Sequence, residues 1–252
     1  WREPRGSSRR LVGGALAAFA GGRQPVRSVD LPARVDQRAP GEHVPPNGTG
    51  IAYPLEHGVF CTSALFDDSY GLAYFPFDNP DALQPVATPA LASGASVSGL
   101  AHSGAGELVG LTHRVDNRFT VEYNIDGSSW VYEGLFDEAG RCFAVQRVLV
   151  GQGDLSGGVL ESLDFEPASG RYALSFSTAT SPAQLYVLEP DGALRRLTNE
   201  RLLGIPPSAL SRGEDYSYTS HDGLRISARL YLPAAKLSYE GPRPVIFYIH
   251  GG

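Results

Sequence analysis

The residues best placed to do chemistry lie near the end of the sequence. Pro244-Val245-Ile246-Phe247-Tyr248-Ile249 is an uninterrupted apolar run, and His250-Gly251-Gly252 follows it directly. Such a run predicts a strand buried on both faces, as in a parallel sheet covered by helices. Glycines in the loop after that strand can bring backbone N–H groups against the oxyanion of a tetrahedral intermediate, where a Cβ would crowd the substrate carbonyl. The chemistry implied is acyl transfer, which also needs a nucleophile. A Gly-x-Ser-x-Gly elbow would supply one, but the sequence has none. Gly94-Ala95-Ser96-Val97-Ser98-Gly99 comes nearest, with its second glycine one place too late. No nucleophile, triad acid or triad base can be picked out.

Other reactive residue types give little. Cys61 and Cys142 stand far apart with no C-x-x-C spacing, so a metal site or disulfide framework is not expected, and both read as small hydrophobes. His43, His57, His102 and His113 show no metal-ligand spacing and read as surface or satisfied core residues, and His221 falls in a turn. The acidic pairs Asp67-Asp68 and Asp137-Glu138 read as turns. No metal and no organic cofactor is expected.

The elements that would position the glycine pair are mostly short strands. Gly58–Phe66, Tyr70–Phe77, Glu107–Val115, Phe119–Ile125 and Trp130–Phe136 are β-branched or aromatic, parted by Asp67-Asp68, Asp116-Asn117 and Asp126-Gly127. The clearest unit is Val159–Thr198. Val159–Glu166 reads as a strand and Pro167–Gly170 as a turn. Arg171–Ala179 alternates, with Tyr172, Leu174 and Phe176 on one face. Ser181-Pro182 reads as a break, Gln184–Leu188 as a third strand, Asp191-Gly192 as a hairpin turn and Ala193–Thr198 as a fourth strand. Four strands in about 40 residues make one blade of a β-propeller. The similar settings of Gly140-Arg141-Cys142-Phe143 and Gly170-Arg171-Tyr172-Ala173 suggest repetition. A β-sandwich would show similar strands, so the repeat alone leaves both open. Leu203–Gly213, with Pro206-Pro207, reads as a linker. Asp215–Thr219 and Ile226–Leu232 then form a hairpin around His221-Asp222-Gly223.

Ser220-His221-Asp222-Gly223 and the hairpin through Pro233, then Arg243-Pro244-Val245-Ile246-Phe247-Tyr248-Ile249-His250-Gly251-Gly252, all after a blade ending Leu194-Arg195-Arg196-Leu197-Thr198, resemble the prolyl oligopeptidase family of serine peptidases. In that family a β-propeller caps an α/β-hydrolase domain. The resemblance is specific over roughly Val159 to Gly252 and rests on blade-like texture upstream. It implies a mainly β chain: a partial β-propeller followed by the first strands of an α/β-hydrolase domain. The implied organisation is propeller over 1–205 (blade-like units near 50–88, 95–150 and 159–198), linker over 206–213 and hydrolase start over 214–252. It places an oxyanion-hole donor on the Gly252 N–H. His250 then stands where other branches carry a tyrosine serving that hole, and the triad histidine lies elsewhere. Trp130-Val131-Tyr132-Glu133 is similar to the segment with which dipeptidyl peptidases of the family hold a substrate's free amine. Glu133 is thus a candidate substrate-binding residue, although Gly134 stands where a second glutamate is expected. A partly buried strand explains the same four residues.

The function implied is hydrolysis of short peptides through an acyl-enzyme, with the Ser-His-Asp triad outside these 252 residues and this chain by itself inactive. A propeller-linked esterase and a non-catalytic propeller binding module are the alternatives.

Composition agrees with a turn-rich β chain. The 252 residues include Gly 30 and Pro 19, about 19% together against roughly 12% in average usage. Lys+Arg 21 against Asp+Glu 27 gives a net charge of -6, which argues against nucleic acid as a partner. No apolar run reaches the ~18 residues of a membrane span. The chain has Met 0 and starts at Trp1, so a piece of a longer protein is expected. Arg9-Arg10 ahead of Leu11–Ala20 has the outline of a twin-arginine export signal, or of two strands turning at Gly13-Gly14 and Gly21-Gly22. A cytoplasmic setting is favoured, with export to the periplasm as the alternative.

Overall fold

The computed structural model describes residues 49–66, 70–79, 82–89, 91 and 106–249. The Arg9-Arg10 segment, Asp67-Asp68, the Gly94–Gly99 stretch, His43, His102 and His250-Gly251-Gly252 lie outside the described residues. The fold is mainly β. Three antiparallel four-stranded sheets follow one another, each with its strands in chain order, and a two-stranded hairpin comes last. The first sheet holds β1 (Thr49–Pro54), β2 (Gly58–Ser63), β3 (Gly71–Pro76) and β4 (Gln84–Pro85). The second holds β5 (Gly106–Val115), β6 (Arg118–Ile125), β7 (Ser128–Asp137) and β8 (Cys142–Val150). The third holds β9 (Gly158–Glu166), β10 (Arg171–Thr178), β11 (Ser181–Leu188) and β12 (Leu194–Arg196), and the hairpin is β13 (Glu214–Thr219) with β14 (Arg225–Leu230). A four-stranded antiparallel meander is the form of a propeller blade, and three such sheets follow one another along the chain, consistent with a partial propeller.

The turns follow from local chemistry. Between β6 and β7 only Asp126 and Gly127 intervene, with φ of 49° and 82°. A type I′ turn needs positive φ at both central residues, which Asp-Gly supplies while matching the strand twist.

Two compact units can be distinguished. One comprises the described residues through Ile125 with Trp130–Leu149, and the other Asp126–Ser129 with the described residues from Val150 onward. The first unit's core lies where the first two sheets face each other. Phe60, Leu72, Tyr74 and Val86 meet Leu108, Leu111, Phe119, Val121, Tyr132, Phe136 and Phe143. Phe60 stacks parallel on Phe136 at 4.0 Å between ring centroids and meets Phe119 edge-on at 5.0 Å. All six residues of β2 are buried, because Val59 and Cys61 pack with Ala73 on its other side. The two sheets also share a backbone seam: Ala87 N–H donates to the Arg141 carbonyl (3.0 Å), and Phe143 N–H donates to the Ala87 carbonyl (2.8 Å).

In the second unit, Tyr172, Leu174 and Phe176 of β10 are buried at alternate positions, the face that the sequence pattern indicates. They are joined by Gln184, Tyr186 and Leu188 of β11. Ser181 and Pro182, expected as a break, open β11 instead. The register shift between Phe176 and Thr178 sits opposite, and a strand start at an irregularity is where proline's missing N–H is tolerated. The apolar run 244–249, expected as a strand buried on both faces, carries no strand pairing, and Ile246, Phe247 and Tyr248 are 92%, 85% and 95% exposed. A buried parallel strand needs a neighbour on either side, and no described strand pairs with this segment.

Candidate functional site

The one sequence-predicted site residue among the described residues is Glu133. It sits on β7, one position after Tyr132, so the strand's two-residue period turns it away from the aromatic core. Its carboxylate is nonetheless buried, at 2% exposure. A buried carboxylate must be paired, and neighbouring strands supply the partners. Arg118, at the start of β6, donates from Nη1 to Oε1 at 2.8 Å. Arg147, on β8, donates from Nε to Oε1 at 3.0 Å and from Nη2 to Oε2 at 3.5 Å. Three adjacent strands are thereby tied by one carboxylate and two guanidinium groups. The oxygens face Arg118 and Arg147, not solvent, and this geometry does the work of a strand clamp.

A second polar cluster bridges the first two sheets. Glu138, in the β7–β8 turn, accepts at Oε1 from the Tyr74 hydroxyl (2.8 Å) and from the His57 backbone N–H (2.9 Å). Asp137 caps the same turn through the Ala139 N–H at 3.1 Å. The Asp137-Glu138 pair, expected as a turn, straddles its start: Asp137 closes β7 and Glu138 opens the turn, with a long-range partner besides. Burial, then the hydrogen bond to Glu138, pushes the Tyr74 phenol up to about 12. Arg141 donates to the Gln84 side chain beside it. Glu56, His57, Tyr74, Phe77, Glu138 and Arg141 line an open groove of about 480 Å³.

Gln184 is the buried polar residue of the third sheet. Its amide donates to Ser181 Oγ, to the Pro182 carbonyl and to the Glu200 carbonyl at 3.2, 3.1 and 2.9 Å. Its oxygen accepts from Thr198 Oγ1 (3.0 Å) and the Glu200 N–H (2.8 Å), fastening the segment after β12 onto β11.

None of these clusters is a nucleophile with its base. Cys61 is buried in β2, and burial pushes its thiol up to about 12, far from the thiolate a nucleophile needs. Ser220-His221-Asp222 has triad residue types but not triad geometry. Ser220 Oγ lies 3.4 Å from His221 Nδ1, while Asp222 accepts from the Leu224 N–H at 3.2 Å and from the Ser220 hydroxyl, which hold its carboxyl below the usual carboxylate range. The carboxylate shapes the turn and does not orient the imidazole. His113 donates from Nε2 to the Asp116 carbonyl (2.7 Å) and packs on Phe119, so it is a satisfied ring near the end of β5. Among the described residues no group of three His, Cys, Asp or Glu side chains could hold a metal ion.

Sequence reading passed over Arg118, Arg147 and Gln184. Their partners come from neighbouring strands or from sixteen residues away, and a linear pattern carries no mark of that.

No family model matches the sequence, and no curated protein matches it. Solved structures do resemble the fold. Prolyl oligopeptidase B from Galerina marginata, in two substrate-bound forms, superposes with a TM-score of 0.51 at 12% and 14% identity, over 72% and 71% of this chain. Oligopeptidase B from Leishmania major lies further off, at 13% identity and a TM-score of 0.42 over 72% of the chain. The chain spans under a quarter of these proteins, 23%, 22% and 24% of their lengths respectively. At these identities the likeness is one of fold: the chain has the propeller-like β architecture present in a prolyl oligopeptidase.

Proposed function

We propose that the chain is part of the β-propeller of a serine peptidase resembling the prolyl oligopeptidases, followed by the entry into its α/β-hydrolase domain. The observation that carries this reading is the succession of three chain-ordered four-stranded sheets, then linker and Asp-Gly hairpin, in a chain whose fold resembles a prolyl oligopeptidase. The whole protein would cleave short peptides through an acyl-enzyme. His250-Gly251-Gly252 would form the oxyanion loop, with the Gly252 N–H as donor and with nucleophile and triad supplied from outside residues 1–252. The propeller would admit only small, unstructured substrates. Glu133, tied to Arg118 and Arg147, would serve this function by fixing the second sheet, and a substrate's free amine would have to displace a guanidinium to reach it.

The test is the longer coding sequence and its product. A Gly-x-Ser-x-Gly elbow with later Asp and His, and turnover of aminoacyl-nitroanilides, supports the reading. Ester turnover without amide turnover would place the protein with the esterases, and absence of an elbow would leave a binding module.

A further inference from the structure

The Asp126-Gly127-Ser128-Ser129 turn belongs to the same unit as the third sheet and the C-terminal hairpin, and it is bonded to both. At one end Ser129 Oγ accepts from the Leu160 N–H of β9 at 3.1 Å. At the other, Asp126 takes both guanidinium nitrogens of Arg225, the first residue of β14, at 2.9 and 3.2 Å across 99 positions of sequence. The Ser227 hydroxyl also bonds Asp126, and these partners hold its carboxyl below the usual carboxylate range. Among the described residues, all six of β13 are exposed, Ile226, Ala228 and Arg229 of β14 are half-buried, and Arg229 and Lys236 bond to Asp215, to the Arg212 carbonyl and to Ser208, within the hairpin and its own linker. The Asp126–Arg225 pair is itself half open to solvent, where ion pairs are weak and screened by salt.

We propose that the Asp126–Ser129 turn is a bracket that holds the β13–β14 hairpin through the Asp126 carboxylate, paired with Arg225 and bonded by Ser227, so that the hairpin docks or swings free according to whether that carboxylate keeps its partners. The inference does not depend on the proposed peptidase function. The turn carries positive φ at both central residues and is bonded to β9 through Ser129, while Arg201 and Arg212 on the linker at the far side are exposed.

The experiment is limited trypsin digestion of the 252-residue chain, following the product that ends at Arg212. Salt is raised from about 0.02 M to about 0.5 M NaCl, which contracts the Debye length from roughly 20 Å to roughly 4 Å. The wild-type chain is expected to be cut several-fold faster at high salt. Asp126→Asn, which keeps an Asn-Gly turn of the same type, and Arg225→Gln should each be cut fast at both salts, and the double variant no faster than either single one. Cleavage within β9–β12 serves as the control for folding. Salt-independent cutting of the wild-type chain, wild-type behaviour of Asp126→Asn, or additive effects in the double variant would each overturn the proposal.

Discussion

The Tyr74 hydroxyl donates to Glu138 at 2.8 Å, joining β3 of the first sheet to the β7–β8 turn of the second across 64 residues. The same oxygen takes the His57 N–H, so one side chain in the β7–β8 turn holds both β3 and the β1–β2 loop of the neighbouring sheet. Tyr74→Phe removes one hydrogen bond and should cost about 1 kcal/mol. Glu138→Ala strands both donors and should cost about 2 kcal/mol. Urea midpoints of the two variants check the order; equal losses would show that the His57 contact contributes nothing.

The Tyr74 phenol also sets a pH dependence. Its folded-state pKa is raised to about 12, so its contribution to stability is complete below the unfolded value near 10 and is lost as pH rises through about 12. Stability measured across that window should fall more steeply in the wild-type chain than in Tyr74→Phe. Parallel curves would contradict a phenol held neutral by burial and by its bond to Glu138.

Glu133 gives the largest expected polar effect. Glu133→Ala leaves Arg118 and Arg147 facing each other without their carboxylate, and breaking a buried pair costs roughly 3–5 kcal/mol. Because both arginines are partly exposed, the lower end, about 3 kcal/mol, is expected. Arg118→Ala, with Arg147 still in place, should cost less. A denaturation series that reverses this order would remove the strand-clamp role.

Gly127 isolates a conformational effect. Its φ is 82° and a Cβ there would meet nothing within 4 Å, so Gly127→Ala tests backbone preference alone. The left-handed conformation costs an L residue about 1–2 kcal/mol, and thermal unfolding of the second unit should register it.

Much of the strand inventory is legible in the sequence, for physical reasons. Tyr172, Leu174 and Phe176 alternate because one face of β10 is buried, and Asp116 and Asp126-Gly127 mark turns because few other residues accept positive φ. β4, only Gln84–Pro85, escapes a reading that needs four or more residues to show a period. The run 244–249 shows the limit of reading burial from composition. Apolarity gives the tendency to be covered, but the covering strands must come from elsewhere. The long-range clusters were invisible for a related reason: Arg225 finds Asp126, and Tyr74 finds Glu138, only once the strands are laid down.

That uncovered run has its own consequence. Ile246, Phe247 and Tyr248 form an exposed, β-prone, uncharged segment, the signature of self-association. Replacing Ile246 and Tyr248 by lysine should shift the 252-residue chain toward monomer in light scattering. An unchanged or larger particle would show that association runs through another surface.

The proposed function makes this chain part of the propeller, and the entry into the hydrolase domain, of a serine peptidase. The most direct measurement is amide hydrolysis by the protein extended beyond Gly252, assayed on short aminoacyl-nitroanilides with and without a covalent serine-directed phosphonate. The account predicts turnover that the phosphonate abolishes, and none from residues 1–252 alone. A folded extended protein with no amide turnover, or with turnover indifferent to the phosphonate, would contradict it.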